Sequence, residues 1–289
     1  MKIKKENLQV NSLKIEDLLC LGNQVLHKDQ NKLLLASIID KNPLELNLHL
    51  NDLVSEDHVL KYKECLESIK KGEPLQYALG KTNFYGFDFY VDKRVLIPRF
   101  ETEELVYNAK IYIDKYFHEN VKILDLCSGS GCIGLTLKKL NNNFDLTLSD
   151  VSHDAIDVIN INSKKLEVDV KIIESDLFQN ISSKFDVIIS NPPYVSDSDE
   201  VSDIVLKNEP HLALYAKNDG LEFYERILKS CENYLNDKYL IAFEIGSSQK
   251  DKIISLINKY LKNVKIIAKK DMQERDRMIF IFKNIDLVE

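Results

Sequence analysis

The chain has 289 residues, 44% hydrophobic and 29% charged, with 9 glycines and 6 prolines. That is the composition of a globular protein with one large domain, or a large one and a small companion. A formal net charge of -7 argues against broad nucleic-acid binding, which needs a basic face to neutralise phosphates.

The start, MKIKKENLQV, is charged and lacks the apolar stretch of a signal peptide, and LLLASII at 33–39 is too short to span a bilayer. No membrane association is expected. Cys20, Cys65, Cys127, Cys132 and Cys231 form no C-x-x-C pair and stand in no metal-ligand spacing with histidine. Reduced thiols in a cytoplasmic protein, without a metal, are the expectation.

Residues 1–75 read as a small helical bundle. Segments 14–28 and 31–41 carry leucine stripes. In SEDHVLKYKECLESIKKGEP, Ser55 can cap a helix, Val59, Tyr62, Leu66 and Ile69 share a face, and Gly72 and Pro74 stop it. Residues 76–98 change character. NFYGFDFYVDKRVLIP is aromatic, roughly alternating and broken by Gly86, as in a β-hairpin linker.

Residues 99–289 form the second expected domain. VKILDL (121–126), LTLSD (146–150), VDVKIIES (168–175), FDVIIS (185–190) and YLIAFEIG (239–246) are buried-strand runs. Helical patterns such as SHDAIDVININSKK and GLEFYERILKSCENYL lie between most of them. The alternation predicts an α/β fold with a parallel sheet covered on both faces. VKIIAKK (264–270) and RMIFIFK (277–283) are separated only by DMQERD. A parallel crossover needs a dozen or more residues, so these two strands should pair antiparallel if adjacent.

The first strand of this domain runs into DLCSGSGCIG, where Gly129, Gly131 and Gly134 satisfy G-x-G-x-x-G and Asp150 ends the next strand. Such a turn can hold a dinucleotide or S-adenosylmethionine (SAM). Asp125 before the turn suits a cationic sulfonium ligand with an ammonium group better than a pyrophosphate. The antiparallel last strand is also unlike the all-parallel dinucleotide fold, so SAM is favoured over NAD. Asp176, at the end of the third strand, can face an adenine amine with Leu177 packed on the ring, because open α/β sheets bind ligands at their strands' carboxyl ends.

The fourth strand ends in Asn191-Pro192-Pro193-Tyr194. Each proline holds the residue before it in an extended conformation and offers no donor itself. What remains is a stiff rim of acceptors, the Asn191 side-chain oxygen and the Pro192 carbonyl, beside the flat face of Tyr194. That set suits a planar NH2 group: two acceptors take its hydrogens and a ring stacks on its plane. Catalysis by Asn191, Pro192 and Tyr194 would rest on orientation and electrostatics, with no general base required.

The glycine turn combined with N-P-P-Y resembles amino-group methyltransferases. PLQYALG, FYGFDFYVDKRVLIPRFETEELV, NEPHLALYAKNDGLEFY and FEIGSSQ resemble the HemK/PrmC family, from about residue 74 to the C-terminus. The resemblance implies a Rossmann-like SAM-dependent methyltransferase sheet and a small N-terminal helical domain that binds the partner. The implied activity is methylation of the side-chain amide of the Gly-Gly-Gln glutamine of peptide-chain release factors. Carried over by position, the SAM contacts would be Cys127, Ser128, Gly129, Ser130, Gly131, Asp150, Leu177 and Asn191, and the substrate glutamine would meet Asn191, Pro192, Pro193 and Tyr194. A monomer without direct nucleic-acid contact is expected. An adenine methyltransferase acting on DNA or RNA shares N-P-P-Y and is the alternative.

Three positions depart from the family pattern. Cys127 and Glu274 stand where glycine is common, and Phe100 where proline is usual. Cys127 would allow thiol reagents to block SAM, Phe100 could cover the adenine, and Glu274 should alter only the final turn.

Overall fold

A computed structural model describes residues 12–118 and 120–287; the start MKIKKENLQV therefore lies outside the described residues. The chain divides into two compact units, one up to Gly80 and one from Lys81.

The first unit holds helices α1 (Ile15–Gly22), α2 (Lys28–Ile39), α3 (Glu56–Lys70) and α4 (Leu75–Leu79), with Leu13–Lys14 and Leu53–Val54 paired as an antiparallel ribbon. The Ser55 hydroxyl accepts from the His58 N–H at 3.5 Å, so α3 is capped as its sequence predicts. Val59, Tyr62 and Leu66 are buried on one face, packed with Leu18, Leu34 and Leu46, and the leucine stripes are core. The Tyr62 hydroxyl finds its partners inside, 2.8 Å from Leu18 O and 2.5 Å from Asn31 Oδ1, as a buried phenol must.

The second unit opens with a hairpin, Thr82–Phe84 against Phe87–Phe89, turned at Tyr85 and Gly86 with φ of 54° and 82°. Two consecutive positive φ values make the tight turn whose twist suits a hairpin. Helix α5 (Phe100–Tyr116) follows. A seven-stranded sheet is then built from β1 (Lys122–Leu126), β2 (Asp145–Asp150), β3 (Lys171–Glu174), β4 (Phe185–Ser190), β5 (Leu235–Glu244), β6 (Val264–Lys270) and β7 (Asp276–Lys283). Helices α6 (Cys132–Leu140), α7 (His153–Leu166), α8 (Asp203–Asn208), α9 (Glu222–Ser230) and α10 (Lys250–Tyr260) connect these strands.

The strand order is β6-β7-β5-β4-β1-β2-β3. β1 to β5 run parallel, while β7 is antiparallel to both β5 and β6. The short link between β6 and β7 leaves no other pairing. Successive residues feed opposite faces: Val187 and Ile189 join α5, α6 and the hairpin phenylalanines, whereas Ile188 packs with α9 and α10. Each such fully buried side chain contributes about 1.5–3 kcal/mol. β3 is shorter than its apolar run and is an edge strand, paired among the described residues with β2 alone.

The turn after β6 explains one departure. Glu274 has φ 61°, a conformation glycine adopts without strain. The turn is closed by Asp271, whose carboxylate accepts from the Gln273 and Arg275 N–H groups at 2.9 and 3.0 Å.

Candidate active site

The carboxyl ends of β1 to β4 meet at one edge of the sheet, and a cavity of about 260 Å³ lies there. Cys127, Ser128, Gly129 and Ser130 line it from the β1 turn, Asp150 from β2, and Asp176 and Leu177 from the β3 end. Asn191 and Pro193 line it from the β4 end. Four other expected site residues, Asp125, Gly131, Pro192 and Tyr194, are not part of its wall.

The glycine turn is held by its own hydrogen bonds. The Ser128 hydroxyl lies 2.8 Å from Asp125 O, and accepts from the Ser149 N–H at 2.9 Å. Asp150 accepts from the N–H of Gly129 at 2.8 Å and from that of Ser152 at 2.9 Å. Asn162, fully buried, ties the turn to the hairpin: its Nδ2 donates to Ser130 O at 2.9 Å and its Oδ1 accepts from Tyr90 N–H at 2.6 Å.

Asp125 is 0% exposed, behind the turn. Its Oδ2 accepts from the Gly134 N–H at 2.9 Å, and its Oδ1 has no partner among the described residues. Gly134 permits this approach, because a Cβ there would lie 2.9 Å from Leu148 Cγ and 3.0 Å from Asp125 Oδ2. Burial pushes the Asp125 carboxyl up to about 7.

Cys127 has φ 58°, which gives a backbone reason for glycine at this position. Cys127 is half-buried on the cavity wall, where desolvation raises its thiol above the ordinary range. Leu177 is also left-handed, at φ 49°; two strained non-glycine residues therefore line one cavity, as is common at functional sites. Asp176 lines the cavity with both oxygens engaged by Arg226 Nη2, at 2.8 and 2.7 Å. Phe100 does not cover the cavity: it is 59% exposed on the first turn of α5 and outside the lining, whereas Thr102, two residues on, faces inward.

The Asn-Pro-Pro-Tyr loop is anchored from behind. Asn191 Nδ2 donates to Thr102 Oγ1 at 3.3 Å, and the Thr102 hydroxyl donates to Glu244 Oε2 at 2.6 Å. The Tyr194 hydroxyl lies 3.4 Å from Glu244 Oε1, and Tyr194 O accepts from Gln249 Nε2 at 2.9 Å. Arg99 pairs with buried Glu209 at 2.5 Å, and Glu209 also accepts from the Ile97 N–H at 3.1 Å. Sequence reasoning singled out none of Thr102, Glu209, Glu244 and Gln249. The available signal was their place in RFETEE, NEPH and FEIGSSQ, the segments that carry the family resemblance.

Glu244 is 1% exposed. Burial pushes its carboxyl up to about 7, opposed by the Thr102 hydroxyl and Arg277, with Glu101 adding to the rise and Tyr194 to the fall. A raised acid binds its proton more tightly folded than unfolded. Its contribution to stability is complete below the ordinary 4.5 and is lost as pH rises through about 7. The unfolding temperature of the apoprotein should therefore fall between about pH 4.5 and pH 7 and level off above that. Glu244→Gln, which cannot ionise, should flatten that fall in a pH series of melting curves; an unchanged slope would count against a raised Glu244.

Two family models match the chain: the PrmC N-terminal domain over residues 28–80 and the methyltransferase small domain over residues 110–208. A release factor glutamine methyltransferase of Streptococcus pneumoniae is 37% identical over 80% of this chain and 82% of its own length. One from Clostridium acetobutylicum is 34% identical over 96% of this chain and 98% of its own length. The crystal structure of a methyltransferase from Pyrococcus furiosus superposes with a TM-score of 0.51 at 18% identity, over 69% of this chain and 90% of that one. This last likeness speaks to the fold alone.

Proposed function

The chain belongs to the release factor glutamine methyltransferase family, and from that premise we propose that it methylates the side-chain amide nitrogen of the glutamine in the Gly-Gly-Gln motif of a translation release factor, with SAM as the methyl donor. The observation that carries this reading is the pairing, at one cavity, of the glycine turn with Asn191 and Pro193 of the Asn-Pro-Pro-Tyr loop.

The residues present fit SAM. Asp150 and Asp176 edge the cavity, and Asp125 stands behind it with an oxygen unpartnered among the described residues. Asp150 complements a cationic ligand, while Arg226 answers the charge of Asp176. Leu126, Ile133, Ala155 and Leu177 offer apolar surface for an adenine ring. The cofactor, when bound, supplies an electrophilic methyl group on a positively charged sulfur.

The chain's own contribution is positioning. An amide nitrogen is a poor nucleophile because its lone pair is delocalised into the carbonyl. Asn191 Oδ1, on the cavity wall, would accept from one of its hydrogens, which favours the pyramidal form and turns the lone pair toward the donor. With SAM held there, the methyl group would pass from its sulfur to this nitrogen, and the nitrogen's proton would then leave to water. Complementarity to this arrangement, stronger in the transition state than before it, supplies the rate. The Tyr194 hydroxyl stays with Glu244 behind the loop.

We assign partner docking to the helical unit, and take the protein to act in the cytoplasm as a monomer, without metal or direct nucleic-acid contact. The adenine alternative is not favoured, since the relatives are named for release factors. Labelled SAM should transfer its methyl to a release factor, and the label should vanish when the motif glutamine is replaced. Label that persists after that replacement, or that appears in nucleic acid instead, overturns the reading.

A further inference from the structure

We propose that Thr102 and Glu244 are positioning residues that fix which end of the Asn191 amide faces the cavity. The inference rests on the function proposed above and adds a device to it.

An asparagine amide has two nearly isosteric ends with opposite hydrogen-bonding character. Only one orientation can accept from a substrate NH2 group. The loop prolines stiffen the backbone, but they do not choose between the two ends. The choice needs a partner whose own polarity is already determined.

Thr102 is such a partner. Its hydroxyl has one hydrogen, and the 2.6 Å contact with Glu244 Oε2 uses it. The oxygen is left as an acceptor, and Asn191 Nδ2 donates to it at 3.3 Å. Oδ1 is then the branch of the amide left for the cavity that Asn191 lines.

Glu244 sets the polarity of this chain. A carboxylate only accepts, and in the neutral acid a proton on Oε1, toward Tyr194, still leaves Oε2 accepting. The same carboxyl group is 3.4 Å from the Tyr194 hydroxyl, so both ends of the loop refer to one buried group. The Tyr224 hydroxyl donates to Glu244 O at 2.7 Å, and Arg277 Nη1 donates to Ile245 O at 3.2 Å, which holds the β5 end in place. Thr102 and Glu244 are 3% and 1% exposed, so water does not compete for these bonds.

Thr102→Val keeps the shape and removes the hydroxyl. The Asn191 amide then loses the contact that orients it, and kcat for release-factor methylation should fall ~10- to 100-fold, the usual consequence of a misplaced positioning group. The KM for SAM should stay within about twofold, because the amide's loss of orientation acts on the transferring step. Thr102→Ser, which keeps the hydroxyl, should restore most of kcat. Glu244→Ala should show the same loss of kcat, and Glu244→Gln, which can keep an acceptor toward Thr102, should recover it. If Glu244→Ala does not fold, the Thr102 pair decides alone. Wild-type kcat in Thr102→Val, or an equal loss in Thr102→Ser, overturns the proposal. Failure of the wild-type protein to methylate a release factor overturns the functional reading instead, and is seen before any variant is made.

Discussion

Asn191→Ala should reduce methylation of a release factor by roughly 10²–10³ in kcat, the range seen when one preorganised polar group at a reacting centre is removed. The side chain is the one polar group of the loop that reaches the cavity wall. Removing it deletes an acceptor for the target nitrogen and ends the Thr102 contact. The loop backbone should hold, because Tyr194 O remains bonded to Gln249 and Val195 N–H to Leu214 O at 2.9 Å. SAM affinity by titration calorimetry should therefore change little, and the melting temperature should drop by only a few degrees. Turnover within threefold of wild type would falsify the assigned role and return the loop to a strand-ending turn.

A substitution that never touches the cavity should do comparable damage. Gly220 has φ 78°, and a Cβ there would lie 2.0 Å from Tyr194 O and 2.4 Å from Gln249 Nε2. The first of these atoms is backbone, so the loop itself must move. Gly220→Ala is expected to cost about 2–3 kcal/mol of stability through overpacking and left-handed strain. Turnover should fall about 10²-fold through displacement of the loop. Gly86→Ala is the control: its φ of 82° is equally left-handed, but none of the described residues lies within 4 Å of the added carbon. It should cost about 1–2 kcal/mol and leave kcat unchanged. Equal kcat in the two variants would show that the clash with Tyr194 O does not reach the reacting geometry.

Some of the site was legible because its signals are local. Glycines at 129 and 131, a carboxylate at 150 and a proline pair after a strand are short patterns with direct conformational meaning. The structure brings most of these residues to one cavity. The placement of Phe100 was not legible, since a first-turn helix residue faces inward or outward by a rotation that its neighbours decide. The left-handed backbone of Cys127 was not legible either, since only the fold sets its φ of 58°.

The sequence by itself determined the strand runs, the capped helix at Ser55, the antiparallel last pair and the rigid rim at Asn191. In each case the cause lies within a few residues: side-chain period, cap chemistry, link length, proline geometry. Tertiary structure alone decided the order of the strands and the group that orients the rim. Thr102 and Glu244 meet from 142 positions apart, and a hydrogen bond between distant residues leaves no mark in either segment. It exists only because α5 and β5 pack side by side, and packing is a property of the whole sheet.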